Sequence, residues 1–91
     1  MGGSEITALL KERVAEALEF AEDRYFRSGE YVGSIIDLSR IRMYLIGYAI
    51  EYGAKCVRSG KWRSNYAYIS QDLLERMIEK RVNFYREKIR K

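Results

Sequence analysis

Apolar residues recur along the first third of the chain at spacings of three and four: Ile6, Leu10, Val14, Ala17, Leu18, Ala21 and Tyr25. At 3.6 residues per turn they fall on one stripe. Glu12, Glu16, Glu19, Glu22 and Asp23 lie mainly off it. The pattern predicts a helix over about 5–27. Ser4 is placed to cap its start, and Arg24 and Arg27 suit its negative end. Gly29 suits the left-handed residue that closes such a helix.

A second periodic segment covers about 30–57. Ile35, Ser39, Met43, Ile46 and Ile50 share one face, with Val32 and Ile36 beside it. This stripe is expected to face the core. Tyr44 and Tyr48 point almost opposite Ile46, and Ile41, Leu45 and Tyr52 fill the flank between. A helix apolar on so many sides needs more than one cover. A third helix, the following loop or a second copy of the chain would each serve. Ile41, Tyr44, Leu45, Tyr48 and Tyr52 are therefore the expected self-association residues, and a homodimer is the expected assembly. Arg42 lies within about 40° of the Ile46 stripe. It calls for an acid of the first helix, or for water around its head.

Ser59-Gly60 breaks the second helix. Ser70 then caps a third, over about 71–88, whose stripe is Leu74, Met77, Ile78, Val82, Tyr85 and Ile89. The expected fold is all-α: an up-down-up three-helix bundle within a single domain of 91 residues. Its first two helices form an antiparallel hairpin, because their connection is short.

Composition narrows the chemistry. There is no His, no Pro and one Cys. A histidine base, a Ser-His-Asp triad, a multi-thiolate zinc site and an intramolecular disulfide are all excluded. Cys56 is expected to be a half-buried structural thiol. Paired carboxylates such as Glu12 with Glu16, and Glu19 with Asp23, read as a solvated face, since carboxylate metal sites in bundles face inward. No cofactor, no metal and no enzymatic role are expected. The longest uncharged apolar stretch, Met43 to Ile50, is too short for a membrane span. The acid-rich first 30 residues lack a signal peptide's apolar region. A cytoplasmic protein is the expectation, and the scarcity of amide residues fits a thermophile.

Charge adds one candidate surface. Residues 1–53 carry six Lys/Arg against nine Asp/Glu, while residues 54–91 carry eleven against four. A basic half of this kind attracts nucleic acid or an acidic partner. Arg58, Lys61, Trp62, Arg63 and Tyr66 are the candidate nucleic-acid contacts: cations for phosphates, aromatic faces for unpaired bases. The competing reading is that Trp62, Tyr66 and Tyr68 cap the open end of the bundle while the cations stay in water.

The run Tyr25-Phe26-Arg27-Ser28-Gly29-Glu30-Tyr31-Val32 carries an aromatic pair, then Gly, an acid and Tyr at the expected helix–helix turn. It resembles the corresponding hairpin of a group of small archaeal helical proteins of uncharacterised function. It is similar, more weakly, to tetratricopeptide and HEPN-type hairpins. The resemblance implies a compact helical bundle and brings no catalytic residues. Nuclease members of the HEPN group use Arg, four residues, then His, which a chain without His does not supply. A non-enzymatic interaction or structural module is the leading expectation, and an RNA- or DNA-binding accessory protein is the alternative.

Overall fold

A computed structural model describes residues 3–28, 38–62 and 69–90. The described elements are four helices: α1 (Gly3–Ser28), α2 (Leu38–Arg58), α3 (Gln71–Lys80) and α4 (Val82–Arg90). The chain is an all-α helical bundle. The expected start of the second helix, with Val32, Ile35 and Ile36, and the turn at Gly29 lie outside the described residues.

Side-chain pairs fix the directions. From one end to the other, Tyr25 meets Tyr44, Arg24 meets Tyr48, Phe20 meets Tyr52, and Arg13 meets Trp62. Numbers rise on one helix as they fall on its partner, so α1 and α2 are antiparallel. Glu22 meets Arg81, and Phe26 meets Tyr85 and Lys88, so the third segment runs parallel to α1. The order is up-down-up, as expected.

The α1 stripe lies where its periodicity placed it: Val14, Ala17, Leu18, Ala21 and Tyr25 are buried. The α2 stripe does not. The buried residues of α2 are Ile41, Leu45, Ala49, Gly53 and Cys56, while Met43 is 75% exposed and Ile50 46% exposed. The helix is turned so that the side expected to face the core looks outward. The cause is size. Ala17 and Ala21 of α1 and Ala49 of α2 are fully buried. Small residues on both helices let the backbones approach closely, and close approach maximises dispersion contacts along the seam. The bulkier stripe of Met43 and Ile50 would hold the helices apart.

The ends of α2 and α3 follow local chemistry. Gly60 takes φ +80°, a left-handed conformation that a side chain would strain. Its amide reaches the Val57 carbonyl at 3.2 Å, and the Trp62 amide reaches the Cys56 carbonyl at 3.0 Å. These bonds satisfy the last carbonyls of α2 and fold the chain back so that Trp62 enters the core. Ser70 caps α3, its hydroxyl accepting from the Leu73 amide at 3.3 Å. At the other end of the chain Ser4 lies inside α1, which begins at Gly3, so it is not the expected cap. The single expected third helix is divided at Arg81, whose φ of −102° and ψ of 8° leave the helical region. Its amide bonds the Ile78 carbonyl in a tightened turn, and the Tyr85 amide resumes the ladder on the Arg81 carbonyl.

Two glycines of α2 predict opposite responses. A Cβ at Gly53 would meet Ile69 Cδ1 at 2.6 Å and Trp62 Cζ3 at 3.3 Å, whereas nothing lies within 4 Å of one at Gly47. Urea unfolding of dilute protein should show Gly53→Val destabilised by about 1–3 kcal/mol. Gly47→Ala should be stabilised by roughly 0.5–1 kcal/mol, the helix-propensity gain. Equal responses at the two sites would contradict the placement of α2.

Candidate functional site

Three places collect the chain's chemistry. The first is the end of the bundle where α2 turns back. Lys61 Nζ lies 2.7 Å from Glu16 Oε2 and 2.8 Å from the Tyr52 hydroxyl, which itself donates to Glu16. Lys61 and Tyr52 together hold the Glu16 carboxyl below its ordinary range, the ammonium being the larger cause. The Lys61 ammonium is pushed up by the same Glu16 contact. Trp62 is 6% exposed, with the Arg13 guanidinium 5.1 Å from its ring centre and the Tyr52 ring edge-on at 5.9 Å.

This geometry corrects the nucleic-acid reading at two of its five residues. Trp62 has no free face on which a base could stack, because the fold-back after Gly60 inserts it into the core. The Lys61 charge is already balanced by Glu16. Arg58 is exposed, and Arg63 and Tyr66 lie outside the described residues. The capping role expected for Trp62 is the one it performs.

The second place is midway along the bundle. Glu22, whose side chain is only 13% exposed, receives Arg81 through Nε and through Nη2, the latter at 3.0 Å, and accepts the Tyr85 hydroxyl. Burial first, and Glu22 second, push the Tyr85 hydroxyl above its ordinary range. The carboxylate keeps the Arg81 guanidinium firmly protonated. Glu16 and Glu22 are therefore cross-links between helices, where a solvated acidic face was expected. No three His, Cys, Asp or Glu side chains come together to hold a metal ion among the described residues. Arg81 lies on the same helical face as Leu74, Ile78 and Tyr85, but its charge kept it out of the apolar stripe.

The third place is the outward side of α2. Of the five residues expected to self-associate, Ile41 (3% exposed) and Leu45 (0%) belong to the chain's own core. They are corrected to structural residues: the small-residue seam turns them inward. Tyr52 is half-buried, stacked on Phe20 at 4.6 Å and bound to Glu16. Tyr48 is half-buried beneath Arg24 at 4.3 Å, and Tyr44 is 41% exposed. In their place Met43 and Ile50 stand outward. With Tyr44, Tyr48, Gly47, Arg40 and Glu51, Met43 borders a shallow groove of about 710 Å³. Arg42 leans from this helix to Glu75 of α3, where a partner on α1 was expected. Cys56 is buried, and no described helix is long and apolar enough to cross a membrane.

No protein-family model, curated protein or solved structure matches the chain. The reading of the site therefore rests on its geometry.

The Tyr85 hydroxyl makes stability pH-dependent. A hydroxyl raised in the folded state stabilises fully below the unfolded value of about 10, and that contribution is lost as pH climbs beyond it. Chemical unfolding at several pH values between about 9 and 11 should show stability falling steadily. Tyr85→Phe should be weaker by about 1 kcal/mol at neutral pH and fall less over that range. Identical slopes for variant and wild type would contradict the burial and pairing of this hydroxyl.

Proposed function

We propose that the chain is a small non-enzymatic interaction module that docks an amphipathic helix on the outward side of α2. The observation that carries the reading is the exposure of Met43 at 75% and Ile50 at 46% on a helix whose other side is core. The molecule measures 47 × 25 × 16 Å between Cα extremes. Its thinnest dimension holds about two layers of helices at 8–10 Å spacing, so among the described residues no third layer lies over α2. An apolar side left in this state on a domain this small marks a contact surface. Arg40 and Glu51 border the groove at its two ends.

The free, buried Cys56 accords with a cytoplasmic setting, and the amide-poor composition with a thermophilic source. The archaeal likeness of the α1–α2 turn accords with the same kind of small helical module. Binding of RNA or DNA is the weaker reading, since Trp62 and Lys61 are engaged within the fold.

Met43→Glu tests the proposal. In dilute protein the variant should keep its helicity and unfold within about 0.5 kcal/mol of wild type, as surface substitutions do. Its association with a helical partner should be lost. Destabilisation of about 2 kcal/mol or more in dilute protein would mean that the chain covers this side itself, and would overturn the proposal.

A further inference from the structure

We infer that α4 is a hinged arm that turns about Arg81, and that Glu22 of α1 is the latch holding it closed. The break between α3 and α4 is the starting point. Helix breaks trace to Pro, Gly or Ser, or to a disturbance of the hydrogen-bond ladder from outside. The stretch Glu79-Lys80-Arg81-Val82-Asn83-Phe84 holds no Pro, Gly or Ser. What singles out Arg81 is where its side chain goes. The guanidinium reaches one Glu22 oxygen through Nε and the other through Nη2, the latter at 3.0 Å. One turn further on, the Tyr85 hydroxyl donates to the same carboxylate. A single acid of α1 thus grips both the joint and the arm.

The rest of α4 is lightly held. Of residues 82–88 only Tyr85 is buried, while Asn83, Phe84, Arg86, Glu87 and Lys88 are exposed. By contrast α3 buries Leu74 and Ile78 and starts at the Ser70 cap. A helix of nine residues does not stand alone in water. Docking therefore keeps α4 folded, through the Glu22 bond and through Phe26, whose ring takes Tyr85 at 5.9 Å and the Lys88 ammonium at 5.4 Å. Two open grooves flank the latch. One, of about 530 Å³, runs along Leu18, Met77 and Arg81, and the other, of about 420 Å³, along Phe26, Phe84 and Lys88. Glu22 borders both, so solvent stands on either side of its bridge to Arg81. A segment with so few buried apolar contacts opens locally, at less cost than unfolding the whole chain. Opening turns Tyr85 out of the core and uncovers Phe26. The open arm presents an aromatic contact surface that the closed chain keeps folded on itself.

Native-state hydrogen exchange of the full chain in dilute solution tests the arm. The amides of residues 85–90 should exchange together, roughly a hundredfold or more faster than those of Leu45 and Ala49. Glu22→Gln keeps the side chain's size and removes its charge. It should lower the protection of the α4 amides by about tenfold or more, evenly along the helix. Fraying from the chain end would instead be graded and indifferent to Glu22. Asp23→Asn, on the same helix but paired with the exposed Arg27, should leave α4 protection within about twofold of wild type. Where Glu22→Gln does not fold, Tyr85→Phe carries the same test, with the same even loss along α4. Protection of α4 equal to that of Leu45 and Ala49 overturns the arm. Protection of α4 that neither Glu22→Gln nor Tyr85→Phe changes overturns the latch.

Discussion

Close contact between α1 and α2 governs the rest of the molecule. Ala17 and Ala21 on one helix and Ala49 on the other are fully buried, while Gly53 makes room for Ile69 and Trp62. Aromatic residues line the edges of this seam. There they stack and clamp: Phe20 on Tyr52, Tyr25 against Tyr44, and Arg24 over Tyr48. The same constraint sets the rotation of α2. Once Ile41, Leu45 and Ala49 face inward, Met43 and Ile50 must face away. The outward apolar side is thus a geometric consequence of the inward small one.

Carboxylates of α1 tie the remaining segments to this hairpin. Glu16 gathers Tyr52 and Lys61 at the end where α2 turns back, and Glu22 gathers Arg81 and Tyr85 from the third segment. A largely buried carboxylate such as Glu22 is costly unless several donors satisfy it, and Glu22 has a forked guanidinium and a hydroxyl. Its value to the fold is placement: Arg81 is held at the very residue where α3 gives way to α4. Lys61 and Arg81 are thereby engaged within the fold.

The helices, their order and the α1 core stripe were legible in periodicity, because α1 has one apolar side and a polar remainder. Ser70 as a cap and the break at Ser59-Gly60 were legible for the same kind of local reason. The rotation of α2 was not. Ile41, Leu45, Ala49 and Cys56 satisfy helical spacing as well as Met43, Ile46 and Ile50 do, and bulk alone favours the second set. What decides between them is the fit of small residues across the hairpin, a pairwise property that no single segment displays. The break at Arg81 was hidden likewise, since no Gly or Pro marks it. Trp62 looked like a stacking platform beside basic residues. The left-handed turn at Gly60 sends it inward, and that turn carries its consequence several residues beyond the break.

Stability and assembly meet on α2, and the division of its two sides is the central claim. The direct measurement is solvent access along α2, read from the broadening that a soluble paramagnetic agent causes in methyl and amide resonances of the full chain in dilute solution. The Met43, Gly47 and Ile50 signals should broaden strongly, while those of Ile41, Leu45 and Ala49 stay sharp. Broadening of the inner set with protection of the outer one would contradict the account.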